Sequence, residues 1–187
     1  MKLKYNAPTI LTYTFICFLV MIVTIYLLPD LIYNWFMVPG RLNFSPLRLR
    51  NWVSIFTHVI GHSDWSHLVR NFSIILLVGP MLEENHGSVP LLIMIAITSV
   101  VTGFLNVILF NTALMGASGV AFMMILLASF TNFSRGEIPI TFLLVLVLYL
   151  GDQVRSSFSE SNISHFAHIA GGFCGSLFGF FLPAKTK

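Results

Sequence analysis

Long apolar stretches separated by short polar ones dominate this chain. Four segments carry no charged residue: those between Lys4 and Asp30, between His86 and Arg135, between Glu137 and Asp152, and between Glu160 and Lys185. A helix that crosses a bilayer needs about 20 mostly apolar residues, since each residue adds 1.5 Å. The pattern therefore predicts an integral membrane protein that crosses the bilayer several times.

The same pattern predicts six membrane-spanning helices. The uncharged segment 87–134 is too long for one crossing, and the polar sequence Asn111-Thr112 divides it in two. The predicted spans are about 7–29, 66–82, 89–110, 115–133, 138–151 and 164–183. We expect one domain, residues 1–187, with all-α polytopic architecture.

Residues 30–65 are predicted to form a long loop between the first two spans. The loop contains Trp35, Phe36, Trp52 and several arginines. Mixed aromatic and basic side chains are typical of segments that lie in the membrane interface. We therefore expect the loop to contact the lipid bilayer.

Composition narrows the classes of function. Of the 187 residues, 56% are apolar and 9% are charged, whereas a soluble domain carries about 25% charged residues. Disordered proteins, disulfide scaffolds and nucleic-acid binders are excluded, and the net charge of +3 indicates no partner. Cys17 and Cys174 lie in apolar runs and are interpreted as small hydrophobic residues.

The positions of lysine and arginine predict the orientation. By a narrow margin they favour cytoplasmic termini, which places residues 30–65 and the turn at Asn111 on the outer side. A compact multi-pass chain favours a prokaryotic plasma membrane. The sequence sets neither the oligomeric state nor the organism.

Polar residues inside predicted spans are functional candidates because their burial in lipid is costly. His67 and Asn71 are four residues apart in the second span and share one helix face. Their side chains can both donate a hydrogen bond to one place. The alternative is that they only join neighbouring helices by hydrogen bonds.

Ser118 and His168 are candidates for nucleophilic chemistry. Ser118 lies between Gly116 and Gly119 at a predicted helix start, where unpaired backbone N–H groups favour negative charge. His168 belongs to a stripe with Gly171, Gly175 and Gly179, and such a stripe permits close packing of another helix. If that helix is the fourth, the imidazole reaches Ser118, which predicts a Ser-His dyad without a third, acidic member. Each set alone could also be a packing motif.

At these residues the chain resembles the rhomboid family of intramembrane serine proteases. The family pattern is a His and an Asn four residues apart, then Gly-x-Ser-Gly, then a His followed by small residues, each on a separate helix. The corresponding sequences here are His67-Leu-Val-Arg-Asn71, Gly116-Ala-Ser118-Gly119 and Ala167-His168-Ile-Ala-Gly171. The resemblance covers about residues 50–181.

The resemblance implies a serine endopeptidase with six helices around a water-filled cavity that opens to the outer side. Ser118 would be the nucleophile and His168 its general base, with Gly116 shaping the turn. The oxyanion donors would be His67, Asn71 and the backbone N–H of Ser118. Family members often have a Tyr four residues after the serine; Phe122 retains only its aromatic face.

The resemblance further implies that the substrates are single-span membrane proteins cut in or near their membrane segment. No cofactor and no metal would be needed. The chain lacks the His-Glu-x-x-His sequence of zinc proteases. His58 and His62 have metal-like spacing without a third ligand, and we interpret them as loop structure.

Two other classes of function stay open at this point. The first is a non-catalytic rhomboid-like protein that binds or chaperones transmembrane helices. The second is a channel or transporter whose polar path is lined by His67, Asn71 and His168. A transporter is disfavoured because the chain shows no inverted repeat.

Overall fold

The computed structural model describes residues 5–130, 140–145, 147 and 163–182. All regular secondary structure in these residues is helical. The α-helices are α1 (Pro8–Tyr26), α2 (Asp30–Trp35), α3 (Leu49–Thr57), α4 (Trp65–His86), α5 (Ser88–Leu109), α6 (Ser118–Ala128), α7 (Ile140–Val145) and α8 (Ile163–Phe181), with a 3-10 turn at Arg41–Asn43.

Three of these helices, α1, α4 and α5, are long and apolar enough to cross a membrane. They match the first three predicted spans, although α4 continues to His86, beyond the predicted end near residue 82. Helix α6 has 11 residues and is shorter than the predicted span 115–133. The predicted fifth span, 138–151, lies largely outside the described residues, so the count of six stays a prediction.

The predicted interfacial loop, residues 30–65, contains two helices, α2 and α3. It is fastened to the loop that precedes α6. Val38 and Leu114 exchange two backbone hydrogen bonds of 2.9 Å, and the N–H of Arg41 donates to the carbonyl of Phe110 at 2.6 Å. The first loop therefore supports residues 110–117 from one side.

The start of α1 is anchored on the end of α4. The carboxylate of Glu83 accepts hydrogen bonds from the backbone N–H groups of Thr9 and Ile10, at 2.8 and 3.0 Å. These N–H groups lie in the first turn of α1 and have no partner within their own helix. Glu83 thus supplies a cap from another helix, and Gly87, with φ of +96°, makes the turn from α4 into α5.

Helix α6 lies at the centre of the fold. Eight of its eleven residues are buried, and its sequence is apolar on every side, as expected for a helix surrounded by others. Met123 and Met124 are fully buried. The central position of α6 fixes Ser118 relative to the helices packed around it.

Helix α8 packs against α6 through glycine, as the small-residue stripe predicts. A Cβ atom at Gly171 would overlap the carbonyl of Gly119, and one at Gly175 would overlap the carbonyl of Met123. The two backbones are therefore in direct contact, which larger residues would prevent. This packing prediction is confirmed.

Candidate active site

Ser118 is the first residue of α6 and is partly exposed. The chain enters the helix through Gly116, whose φ of +119° is a conformation that L side chains rarely adopt. The N–H of Gly116 donates to the carbonyl of His58 at 2.9 Å, and the N–H of Ala117 donates to Nε2 of His62 at 3.3 Å. Both N–H groups before Ser118 are thus held by the segment between α3 and α4.

His67 and Asn71 lie one turn apart in α4, on the face that meets Gly116. Asp64 caps this helix, since its Oδ1 atom accepts from the N–H of His67 at 2.8 Å. A Cβ atom at Gly116 would lie 2.6 Å from His67 Nε2 and 3.7 Å from Asn71 Nδ2. The predicted pair of donors therefore converges beside Gly116, two residues before Ser118.

The amide of Asn71 has an unusual environment. Asn71 is 7% exposed, and its Nδ2 atom makes no hydrogen bond with any described part of the chain. A buried donor without a partner costs about 1–3 kcal/mol, so native structures rarely retain one without a reason. A donor that pairs only with the oxyanion of a reacting substrate is one such reason.

The imidazole of His67 is held at its other nitrogen. Its Nδ1 atom lies 3.2 Å from the hydroxyl of Ser63, which also donates to the Asp64 carboxylate at 2.7 Å. The pKa of Asp64 is lowered because the backbone N–H of His67 and the Ser63 hydroxyl donate to its carboxylate. The Ser63 hydroxyl has one proton. While it donates to Asp64, Nδ1 of the neutral His67 ring donates to the Ser63 oxygen and Nε2 is an acceptor. When Ser63 donates to Nδ1, the ring proton resides on Nε2, the atom beside Gly116.

His168 reaches the same region from α8. Its ring stacks on the ring of Phe122, which lies one turn after Ser118 on α6. A Cβ atom at Gly119 would lie 3.3 Å from the carbonyl of Ala167, so the chain neighbours of Ser118 and His168 meet. Ser118 and His168 thus occupy facing turns of two closely packed helices, and both are partly exposed.

Sequence reasoning missed the contribution of His58 and His62, which we interpreted as loop structure. Both side chains are 1% exposed. The backbone carbonyl of His58 and the Nε2 atom of His62 hold the segment that leads to Ser118. Burial lowers the pKa of each to about 4. His62 therefore stays neutral, and its Nε2 atom can accept the N–H of Ala117 while Nδ1 donates to the Ile60 carbonyl at 3.2 Å.

The spacing of His58 and His62 was the available signal. It is typical of a metal site, but in the absence of a third ligand we interpreted the two histidines as loop structure. In the residues that the structure describes, no three histidine, cysteine or acidic side chains converge on a point where they could hold a metal ion.

Comparison with known proteins finds similarity to rhomboid proteins in each case. The sequence pattern of the Rhomboid domain matches residues 49–185. Rhomboid protease GlpG of Haemophilus influenzae is 26% identical over 127 residues, which cover 66% of this chain and 66% of that protein. Rhomboid-related protein 1 of Caenorhabditis elegans is 33% identical over 158 residues, 76% of this chain and 43% of that protein. The chain thus spans less than two thirds of the length of these relatives.

Proposed function

Because this chain belongs to the rhomboid family, we propose that it is an intramembrane serine endopeptidase. Its substrates would be single-span membrane proteins, cut in or near the membrane segment. The observation that carries this proposal is the buried Nδ2 atom of Asn71, which has no hydrogen-bond partner among the described residues. It lies beside Gly116, which precedes Ser118 by two residues. An unpaired donor at this position is what an oxyanion-binding site requires.

The reaction would use Ser118 as the nucleophile and His168 as the general base. The Ser118 hydroxyl attacks the scissile carbonyl carbon and its proton passes to His168. The resulting oxyanion accepts hydrogen bonds from Asn71, from His67 and from the backbone N–H of Ser118, which lies in the first turn of α6 and has no acceptor within the helix. Gly116 leaves the space in which these donors approach the oxyanion.

Collapse of this intermediate would transfer the His168 proton to the leaving amine and leave the other fragment esterified to Ser118. A water molecule then attacks the ester carbonyl and gives its proton to His168. Release of the second fragment returns this proton to Ser118. Helices α6 and α8, which carry Ser118 and His168, are otherwise largely apolar. Water therefore has to reach Ser118 through a polar cavity, which we propose opens to the outer side of the membrane.

The substrate chemistry follows from the helical state of a membrane segment. A helix hides its carbonyl groups in hydrogen bonds, so a segment must unwind before Ser118 can attack it. Glycine and other weak helix formers lower the cost of unwinding by about 1 kcal/mol for each residue. We expect reporters with glycine in the membrane segment to be cut faster than leucine-rich ones.

The direct experiment is cleavage of a glycine-containing single-span reporter by purified protein in detergent. Wild type would be compared with Ser118→Ala, His168→Ala and a matched control, Ser129→Ala, which changes a serine at the other end of α6. We expect wild type and Ser129→Ala to cut, and the other two variants to be inactive while they retain their thermal unfolding midpoint. Residual turnover by Ser118→Ala would refute the assignment of the nucleophile.

The same experiment separates the proposal from a non-catalytic role. A helix-binding rhomboid-like protein would hold the reporter without cutting it, and Ser118 would not react with a fluorophosphonate probe. If wild type fails in both assays on several reporters, the proposed hydrolase is wrong and helix binding takes its place.

A further inference from the structure

Helix α3 is amphipathic in the reverse sense to a helix of a soluble protein. Leu49, Trp52 and Phe56, which share one face, are 72%, 43% and 57% exposed. The opposite face is buried and largely polar, with Asn51 and Ser54 among its residues. Such a helix is stable only if its outer face contacts an apolar medium.

The indole N–H of Trp52 is hydrogen-bonded within the loop, so the exposed part of the side chain is apolar. Its Nε1 atom donates to the carbonyl of Pro46 at 2.9 Å, and Phe44 packs edge-on against the ring at 5.3 Å between centroids. The one polar group of the side chain is therefore satisfied within the loop. The exposed edge of the ring needs no partner from water.

The outer face of α3 is continuous with the surface of a membrane-spanning helix. Phe56 borders an apolar groove of about 250 Å³ whose other walls belong to α5: Ala96, Ile97, Val100 and Val101. Helix α5 is long and apolar enough to cross a membrane. Because the two surfaces meet in one groove, lipid that covers α5 also reaches α3.

Basic side chains are concentrated in the loop that carries this apolar face. Arg41, Arg48 and Arg50 are exposed, and no acidic residue lies between Asp30 and Asp64. Arg48 is the residue before the helix and precedes the stripe formed by Leu49, Trp52 and Phe56, and Arg50 follows Leu49 in its first turn. Arg50 is steadied by a hydrogen bond of 2.7 Å to Asn34 Oδ1, which uses one of its five N–H donors.

We propose that α3 docks on the bilayer and recruits anionic phospholipids, whose phosphate groups bind Arg41, Arg48 and Arg50. An apolar helix face accompanied by basic side chains is typical of helices that lie in an anionic membrane interface. Guanidinium groups match phosphate geometrically. The expected enrichment of anionic lipid beside α3 is about fivefold for each arginine engaged.

Helix α3 is connected by a hydrogen bond to the candidate active site. At the end of α3, the carbonyl of His58 accepts the N–H of Gly116, so the position of α3 in the bilayer constrains the turn before Ser118. Anionic lipid would thereby stabilise the geometry of this turn. Recruitment of the lipid itself does not depend on the proposed protease activity, and it is tested without a protease assay.

The experiment uses the fluorescence of Trp52. The chain has three tryptophans, so Trp35→Phe with Trp65→Phe leaves Trp52 as the only one. This protein is reconstituted in vesicles with equal fractions of phosphatidylglycerol and phosphatidylcholine, and the acyl chains of one lipid at a time carry bromine, which quenches tryptophan on contact. We expect brominated phosphatidylglycerol to quench more, with severalfold enrichment at α3.

Three further arms make the result decisive. Replacing the three arginines with glutamine should equalise quenching by the two lipids, whereas replacing them with lysine should retain the preference. High salt should reduce the preference without any substitution, because exposed charges are screened. Equal quenching with the arginines present, or a preference that survives the glutamine substitutions, would overturn the proposal. Absence of quenching by either lipid would show that α3 is not in the bilayer.

Discussion

The imidazole of His168 lies flat against the ring of Phe122, with 4.3 Å between ring centroids and 4° between ring planes. Phe122 is 8% exposed and lies one turn after Ser118. The stack therefore fixes the plane of the proposed base relative to the helix that carries the proposed nucleophile.

Substitution of Phe122 should affect the rate rather than substrate binding. We expect Phe122→Leu to lower kcat about 10- to 100-fold, because misplacement of a catalytic group by about 1 Å costs that much. KM should change little. Phe122→Tyr keeps the aromatic face and should stay close to wild type. Steady-state kinetics on the reporter measure both constants, and equal kcat for the Leu and Tyr variants would contradict a role of the stack.

Asn71→Ala should lower activity without lowering stability. The variant loses a proposed oxyanion donor, so we expect kcat to fall about 10²- to 10³-fold. Its thermal unfolding midpoint should not fall, since Nδ2 has no partner to lose in the described residues. Asn106→Ala is the control: Asn106 is also buried, and although its Oδ1 atom has no partner in the described residues, its Nδ2 atom donates to the Thr112 carbonyl at 3.1 Å. Its loss should lower the midpoint. Equal destabilisation by the two variants would show that Asn71 is structural.

Gly171→Ala should separate α6 from α8. The added methyl group overlaps the backbone carbonyl of Gly119, which cannot move without displacing the whole helix. We expect a loss of about 1–3 kcal/mol in stability together with loss of turnover. The control is Gly79→Ala, where the new Cβ would meet only side-chain atoms of Ile10, the nearest at 2.6 Å, and a flexible side chain can yield. Thermal unfolding of both variants in detergent measures the difference.

Acid should destabilise the fold through His58 and His62. Burial lowers the pKa of each from 6.5 to about 4, so between these values the unfolded chain binds more protons than the folded one. Stability is therefore complete above about pH 6.5 and declines as the pH falls toward 4, by up to about 1.4 kcal/mol for each pH unit and each histidine.

Thermal unfolding between pH 7 and pH 4.5 tests this dependence. His62→Gln removes one titrating group, while its side-chain amide can still accept the N–H of Ala117. Its unfolding midpoint should vary less steeply with pH than that of wild type. Parallel curves would show that His62 does not contribute to the acid sensitivity.

Helical periodicity explains which parts of the site could be predicted. Positions 67 and 71 are four apart, so their common face follows from 3.6 residues per turn. The spacing of Gly171 and Gly175 likewise predicts contact with one neighbouring helix. Both expectations rest on local geometry, and the structure places both sets where periodicity requires.

The loops explain what could not be predicted. His62 accepts a hydrogen bond from Ala117, which is 55 residues away in sequence, and neither residue belongs to a periodic segment. Helix α3 was not predicted for a related reason. It has only nine residues, with Arg48 before it and Arg50 in its first turn, and such a segment is typical of a surface loop. Only the burial of Asn51 and Ser54 shows that its polar face points inward.

Because α8 follows α6 in the sequence, the close packing of these two helices can form only late in translation. A ribosome adds about 5–20 residues per second, so α8 is made a few seconds after α6. Until α8 inserts, His168 cannot stack on Phe122, and the proposed base is missing from beside Ser118. The proposed hydrolase is therefore inert during its own translation, and membrane proteins emerging beside it are not cut by an unfinished chain.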